Sequence, residues 1–275
     1  DMKNSSNESN SEIINFLLNP YQSLSNFLKA TKTSVEFLKP LGKVHNMKHL
    51  IIFLVLFTSG AKSRELSCEV SFGMYCRIIL EDLLNETDVT FDIGDTPVEG
   101  IMTVSLIASQ MSDVPKGIIS SFPNLTNLVL RENNLTQWKS DYLEGAENLR
   151  FIYVTENLIT TLNDDSFKYA PKLRIVAFTF NNITSISPQA FRGLTQLEDL
   201  QLNVNKLGSV LSFKIFSEIA EGLKKLNLAN NEIKEFPPNF FDGFKNLETL
   251  NIRNNDFVEI DAKIFPQSLR QIDIG

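Results

Sequence analysis

The sequence predicts an α/β repeat solenoid, with short parallel strands on its concave face and irregular or 3-10 turns on its convex face. Three observations carry this prediction. An apolar pattern returns about every 24 residues, an asparagine holds the same slot in six successive copies, and a second set of apolar residues follows each copy at a fixed distance. Two cysteines before the first copy predict a disulfide-bonded N-terminal cap.

The first element is the repeat itself, which follows the pattern L-x-x-L-x-L-x-x-N-x-L. Its clear copies start at Leu125, Leu149, Leu173, Leu197, Leu223 and Leu247, in steps of 24 residues except for one of 26. A weaker copy starts at Ile101, and another begins at Leu269, so residues 101–275 hold about seven repeats with the last one truncated. The alternation in L-x-L predicts a strand whose every second side chain points inward. Because no unit buries its apolar side alone, the units must stack.

The second half of each unit carries its own apolar positions. These are Val114, Trp138, Leu162, Ile186, Val210, Phe236 and Ile260, and five residues later most units have Ile119, Leu143, Phe167, Phe191, Phe241 or Phe265. The unit of 26 residues offers Ile215 or Phe216 instead. We expect these large side chains to stack on the convex side, where wide turns complement the short strands.

The repeated asparagines are predicted to be structural. They are Asn133, Asn157, Asn181, Asn205, Asn231 and Asn255. In register they point into the solenoid, where a buried amide needs hydrogen-bond partners. Its oxygen and its NH2 group can satisfy backbone groups of the neighbouring coil that no strand ladder reaches. We therefore expect a ladder of buried asparagines and not a catalytic site.

This pattern is the signature of leucine-rich repeats, and the resemblance over residues 101–275 implies a horseshoe. The front of the chain, Cys-x7-Cys followed by RIIL, together with acidic repeats of 24 residues, resembles secreted insect leucine-rich-repeat proteins, in particular the mosquito immune proteins. That resemblance implies circulation in extracellular fluid, binding to complement-like thioester proteins and pairing through C-terminal cysteines and a coiled coil. The last two features are not in this sequence, so a homo- or hetero-dimer would need a region beyond residue 275.

The N-terminal quarter is predicted to be processed. Residues 47–61 hold a short basic start, an apolar run from Leu50 to Phe57 and small residues up to Ala61, which are the parts of a signal peptide. The alternative is a buried strand or helix. Residues 1–46 precede this start as an upstream extension, expected to be absent from the mature protein; the alternative is a real helical extension. Residues 62–100 form the predicted cap, with a Cys68–Cys76 disulfide and a possible edge strand around Phe91.

Charge and residue content exclude several function classes. Residues 1–61 hold six lysines and four acidic residues, which leaves 20 basic and 29 acidic side chains in residues 62–275. This balance argues against nucleic acid or an anionic membrane as the partner. The two histidines, His45 and His49, precede the predicted cleavage site, so histidine-based catalysis and zinc sites are not expected. No phosphate-binding loop is present. We predict no enzyme, no cofactor and no metal.

The repeat register also predicts where a partner binds. The variable positions of the strands face the concave side, and one part of that face is apolar. The predicted partner-binding residues are Val129, Arg131, Phe151, Tyr153, Ile175, Ala177 and Phe180. Glu132 and Glu156 are expected to complete a polar rim with Arg131. Surface glycans are predicted on the sequons at Asn85, Asn124, Asn134 and Asn182.

Three functions remain open from the sequence. The first is a secreted recognition or scaffold protein of innate immunity, which binds an extracellular protein through the concave face. The second is the ectodomain of a cell-surface receptor or adhesion protein whose membrane anchor follows residue 275. The third is an inhibitor of an extracellular enzyme. Because a fold hosts many functions, the repeats alone do not choose among them. The missing C-terminal cap predicts that the chain is part of a longer protein.

Overall fold

A computed structural model of the chain describes residues 50–55, 65–67, 69–71, 74–79, 90–92, 98–107, 111–115, 117–208 and 211–275. Before residue 99 it describes only the backbone. All of these residues belong to one compact unit, residues 47–275.

The architecture is built on one main sheet, to which each repeat contributes one parallel strand and Glu69–Ser71 adds an antiparallel strand at the edge. The strands are β1 (Leu50–Val55), β2 (Glu65–Ser67), β3 (Glu69–Ser71), β4 (Met74–Ile79), β5 (Thr90–Asp92), β6 (Thr103–Ile107), β7 (Asn127–Arg131), β8 (Phe151–Thr155), β9 (Thr161–Leu162), β10 (Ile175–Ala177), β11 (Ser185–Ile186), β12 (Asp199–Gln201), β13 (Lys225–Asn227), β14 (Thr249–Asn251) and β15 (Gln271–Asp273). Within the described residues, the sheet has 11 strands in the order β15-β14-β13-β12-β10-β8-β7-β6-β4-β1-β3. The predicted solenoid of parallel strands is confirmed.

The repeat strands from β6 onward divide their side chains between two faces, as the alternation in the sequence requires. In β8, Ile152 and Val154 are fully buried in the core, while Phe151 and Tyr153 lie on the opposite side. The same division holds in β7, where Leu128 and Leu130 enter the core. The core therefore runs continuously from coil to coil behind the sheet, which is why a single repeat is not stable alone.

The side of the coil opposite the strands is built from turns and short helical segments. They comprise 3-10 helices at Ser140–Leu143 and Ala262–Ile264, an α-helix at Phe213–Phe216, and a two-stranded sheet of β9 and β11. A further 3-10 helix, Val98–Gly100, lies shortly before β6. The α-helix lies in the repeat of 26 residues, and it buries both Ile215 and Phe216. The extra two residues are thus absorbed by a helical turn.

Stacked aromatic side chains fill this part of the core. The rings of Phe167 and Phe191 are 5.8 Å apart and nearly parallel, at an interplanar angle of 7°. Trp138 packs edge-on against Phe178 at 5.1 Å, and its indole nitrogen donates a hydrogen bond to the carbonyl of Ser166. Edge-on and offset ring contacts add to the energy of simple burial.

The N-terminal part differs from the predicted cap in one respect. The strand that pairs with the first repeat strand, β6, is β4, because Cys76 lies opposite Val104 in parallel register. The segment TFD around Phe91 forms β5, but it pairs with β2 in a separate sheet, so the expectation that it is the edge strand before the first repeat was wrong. Cys76 and Ile78 lie opposite Val104 and Leu106, so Met74–Ile79 follows the strand pattern of the repeats.

Part of the predicted signal peptide also lies in the sheet. Residues Leu50–Val55 form β1, which runs parallel to β4 and antiparallel to β3. The signal peptide stays a prediction, and its removal after Ala61 would take β1 out of the sheet. No helix in the described portion of the chain has the length and apolar character needed to span a membrane.

Candidate protein-interaction face

The face of the parallel sheet that points away from the core, which is the concave side predicted from the sequence, carries a separate apolar cluster. Val129, Tyr153 and Ala177 stand side by side on β7, β8 and β10, and Phe151 and Ile175 pack against them. We call these five residues the face cluster. Neighbouring parallel strands lie about 4.8 Å apart, so side chains in the same row touch one another across the strands. The structure thus brings together five of the seven residues predicted to bind a partner.

The face cluster is less exposed than the sequence suggests. Val129, Tyr153 and Ala177 expose only 4%, 8% and 0% of their surface, while Phe151 and Ile175 are half-buried. The central row of the predicted apolar patch is therefore closed to solvent, because its side chains are covered by their neighbours on adjacent strands. Phe151 and Ile175 are the apolar groups that solvent or a partner can reach.

Phe180 does not belong to the face cluster. It lies beyond the end of β10, its backbone adopts the left-handed conformation with a φ of 53°, and 53% of its surface is exposed. The turn at this residue takes its side chain out of the strand rows. The prediction that Phe180 is part of a contiguous patch was wrong.

Arg131 lies at the end of β7, beside the face cluster, and is held by two glutamates. Its guanidinium nitrogen Nη2 lies 2.9 Å from Glu132 Oε1 and 2.8 Å from Glu156 Oε1, and its Nε also donates to Glu156 Oε1. The Arg131 side chain is almost fully buried, whereas both glutamates are partly exposed. The group is therefore polar and, with one cation and two anions, net acidic.

On the other side of the face cluster the sheet becomes polar at β12. Asp199 follows Ile175 in the same row, and Lys225 follows Asp199. Burial raises the pKa of the Asp199 carboxyl, although Lys225 and a hydrogen bond from Gln201 oppose the shift. Burial, together with the charge of Asp199, raises the pKa of Tyr153 to about 12, so its hydroxyl is protonated at neutral pH.

Asp199 is expected to make stability depend on pH. Because its pKa is raised in the folded state, ionisation costs the folded protein stability, and this loss develops as the pH rises from about 3.9, the ordinary aspartate pKa, through the raised value. Asp199→Asn should therefore raise the urea midpoint at pH 7, and the difference should vanish at low pH. The exposed Asp242→Asn is the control; an equal pH dependence of both variants would refute the assignment.

The six repeated asparagines form hydrogen bonds between consecutive coils. Asn181 is representative: its Nδ2 donates to the carbonyls of Val154 at 2.8 Å and Thr179 at 3.2 Å, and its Oδ1 accepts from the amide of Ile159 at 3.1 Å. Asn157 and Asn205 repeat this arrangement one coil earlier and one coil later. The remaining members, Asn133, Asn231 and Asn255, also donate to a carbonyl of the preceding coil.

The residue before each of these asparagines adopts the left-handed conformation. The six residues are Glu132, Glu156, Phe180, Val204, Asn230 and Asn254, with φ between 53° and 57°. In this conformation the amide of Glu156 donates to Thr179 O and that of Phe180 to Asn203 O, in each case on the following coil. A β-branched or bulky residue is disfavoured in this conformation, so the backbone at Val204 and Phe180 is strained.

The predicted modification sites differ in accessibility. Asn124 and Asn134 are exposed, Asn182 is half-buried, and Asn85 lies outside the described residues. The side-chain nitrogen of Asn124 donates to the carbonyl of Glu99 at 2.9 Å. Cys68 also lies outside the described residues, and only the backbone of Cys76 is described, so the disulfide stays a prediction.

A row of charged residues immediately before the strands was missed by the sequence reading. Arg174 Nη2 and Lys224 Nζ lie 2.7 Å and 2.9 Å from the two carboxylate oxygens of Glu198. The hydrogen bond from Lys224, followed by that from Arg174, holds the pKa of Glu198 below its usual value against the opposing effect of burial. These residues occupy one repeat slot, and comparing that slot between repeats would have revealed the row.

Among the residues that the structure describes, no three His, Cys, Asp or Glu side chains are grouped so that they could hold a metal ion.

Comparisons with known proteins agree with this architecture. The family described as "Leucine rich repeat" matches residues 147–207 and 211–274, and the one described as "BspA type Leucine rich repeat region (6 copies)" matches residues 100–174. No curated protein sequence matches the chain.

Two solved structures share the fold at low sequence identity. One is the complex of TLR13 with ssRNA13, with a TM-score of 0.59 and 20% identity over 64% of this chain and 25% of that one. The other is the Drosophila Toll–Spatzle complex, with a TM-score of 0.57 and 18% identity over 72% of this chain and 29% of that one. The present chain thus spans between a quarter and a third of either protein.

Proposed function

Because this chain is a leucine-rich-repeat protein, we propose that it binds another protein through the face cluster and acts outside the cell as a recognition or scaffold module of innate immunity. The observation that carries the proposal is the apolar face cluster itself, which lies on the outer side of the sheet and apart from the core. A solenoid does not need apolar residues there for its own folding, since its core lies behind the strands.

The arrangement around the face cluster fits a protein interface. Half-buried Phe151 and Ile175 offer an aromatic and an aliphatic anchor, and the fixed Arg131–Glu156 pair supplies a polar border. Protein interfaces commonly combine a small apolar centre with a polar rim, and aromatic anchors contribute most of the binding energy. The side chains of the face cluster already pack against one another before binding, so they lose little conformational entropy when a partner covers them.

A protein partner is favoured over a nucleic acid. Of the two similar structures, one holds Spatzle and the other single-stranded RNA, so the fold alone does not choose. The present chain has a formal net charge of −7, and the polar border of the face cluster adds two glutamates to one arginine. Nucleic-acid binding depends on neutralising phosphates with an excess of cations. A complement-like or other extracellular protein is therefore the proposed ligand.

Replacing Phe151 with serine should abolish capture of the partner. Wild-type protein, Phe151→Ser and the control Thr249→Ala, which changes the same row four strands further on, are immobilised and incubated with extracellular fluid. We expect one set of proteins to be retained by the wild type and by Thr249→Ala, and lost with Phe151→Ser. Tyr153 is a poorer choice for this test because its burial would confound binding with stability.

Two other functions share the same face and are separated by simple observations. As the ectodomain of a receptor or adhesion protein, the chain would be found attached to the cell surface, whereas a recognition protein would be found in extracellular fluid. As an inhibitor, it would form a stoichiometric complex with a hydrolase and lower its activity. If capture retains a single hydrolase and activity falls in proportion, the inhibitor function replaces the immune one.

A further inference from the structure

The charged row before the strands is a stack with one member on each coil. We call it the charge ladder: Thr126, Arg150, Arg174, Glu198, Lys224, Glu248 and Arg270, of which only Thr126 is uncharged. Backbone hydrogen bonds join consecutive members, with Arg174 N donating to Arg150 O at 2.8 Å and Glu198 N donating to Arg174 O at 2.9 Å. The side chains of neighbouring members therefore start about one strand spacing apart, roughly 4.8 Å.

Most members of the charge ladder are neutralised by a neighbour. Glu198 is shared by Arg174 and Lys224, and Arg270 approaches Glu248 at 3.9 Å. Arg150 is different because its neighbours are Thr126 and Arg174, and it forms no ion pair with any residue that the structure describes. The only carboxylate beside these two arginines, that of Glu198, is thus engaged by Arg174 and Lys224 and not by Arg150, as far as the described residues show.

These arginines border an open recess of about 400 Å3. Its walls are Arg150, Lys172, Arg174, Gln196 and Glu198. Lys172 lies one coil after Asn148, and its ammonium group donates to Asn148 Oδ1 at 2.9 Å, an uncharged partner. The recess therefore has three cations against one carboxylate, in a chain whose formal net charge is −7. Such a local excess of positive charge favours an anion.

We propose that this recess receives carboxylate side chains from an acidic segment of the partner, the protein that also covers the face cluster. This inference rests on the proposed function and specifies the partner further. Arg150 directly precedes Phe151, and Arg174 directly precedes Ile175, so the recess and the exposed part of the face cluster are consecutive along two adjacent strands. A partner that covers Phe151 and Ile175 and continues past the strand starts reaches the recess. Arginine is well suited to bind carboxylates with two parallel hydrogen bonds.

A long polyanion such as a sulfated polysaccharide fits less well. Beyond Arg174 the charge ladder alternates in sign through Glu198, Lys224, Glu248 and Arg270, and its cations there already face carboxylates. An extended chain of sulfates would meet Glu198 two coils after Arg150, and Glu248 two coils after that. The positive region is therefore local, as expected for one or two carboxylates beside an apolar anchor.

The test uses a fluorescein-labelled hexaglutamate peptide and measures its anisotropy with the full chain at low ionic strength. We expect binding that is weakened at least about tenfold in the double variant Arg150→Gln/Lys172→Gln, since binding by point charges falls when the charges are removed. Lys245→Gln is the matched control, because Lys245 is exposed on the coil and already pairs with Glu221. Phe151→Ser should bind the peptide as the wild type does.

The other possible outcomes of this experiment would contradict the proposed carboxylate site. Equal binding by the double variant and by Lys245→Gln, or no binding of hexaglutamate to the wild type, would overturn the recess as a carboxylate site. Tighter binding of a heparin-derived hexasaccharide that depends equally on Lys224 and Lys245 would assign the surface to sulfated polysaccharides instead. Because hexaglutamate does not need Phe151, these results are independent of partner capture, whose failure would count against the proposed function alone.

Discussion

Asn181→Ala should lower the free energy of unfolding by about 4 kcal/mol, one of the two largest effects expected for a single substitution in this chain. The change removes three hydrogen bonds to buried backbone groups, those of Val154, Thr179 and Ile159. Each buried polar group left without its partner costs about 1–3 kcal/mol. Urea unfolding followed by circular dichroism measures the loss.

The neighbouring Asn182→Ala is the control for this prediction. Asn182 is half-buried, and its side chain makes no hydrogen bond within the part of the chain that is described. Both variants are made in a host that does not attach glycans, because Asn182 lies in a sequon. The asparagine ladder would lose its assigned structural role if the two variants were equally stable.

Phe178→Ala should cost a similar amount, also about 4 kcal/mol, for a different reason. Phe178 is completely buried and fills a slot that holds an aliphatic residue in the other repeats, where its ring packs edge-on against Trp138 at 5.1 Å and Phe167 at 5.8 Å. Removing such a ring leaves a cavity that the surrounding side chains fill only in part, at a cost of about 3–5 kcal/mol. Thermal and urea unfolding report the change.

Phe180→Ala, only two residues away, provides the matched control. Its ring is 53% exposed and lies outside both the core and the face cluster. Its removal should change the free energy of unfolding by no more than about 0.5 kcal/mol, as for most surface substitutions. A large loss at Phe180 and a small one at Phe178 would mean that the alternation of core and surface positions is assigned incorrectly.

The sequence predicted the core because the alternation within each strand and the repeat of about 24 residues select the same apolar positions. Positions such as Leu128 and Leu130 alternate within a strand and return at every coil, so their burial follows from stacking alone. The buried asparagine slot was predictable for the same reason. The depth of the face cluster was not, because alternation assigns Val129 and Tyr153 to the outer face but does not tell how far neighbouring strands cover them.

Local geometry explains the other differences. The repeat pattern placed Phe180 beside the strand residues, but the left-handed turn at that position removes it from their rows. The segment around Phe91 has the composition of an edge strand, yet β4 takes that place because it pairs with β6 over four residues from Tyr75 to Ile78. The charge ladder escaped notice because its members differ in sign, so no single residue type marks the slot.

The central claim is that the partner binds through the face cluster, and the affinity of the captured partner for Phe151→Ser tests it most directly. The purified partner is titrated against the wild type, Phe151→Ser and Thr249→Ala, and each dissociation constant is measured. Loss of a central aromatic anchor costs about 2 kcal/mol or more, so we expect Phe151→Ser to bind about 30-fold more weakly and Thr249→Ala to bind within about threefold of the wild type. Equal dissociation constants for all three proteins would show that the partner does not bind through the face cluster.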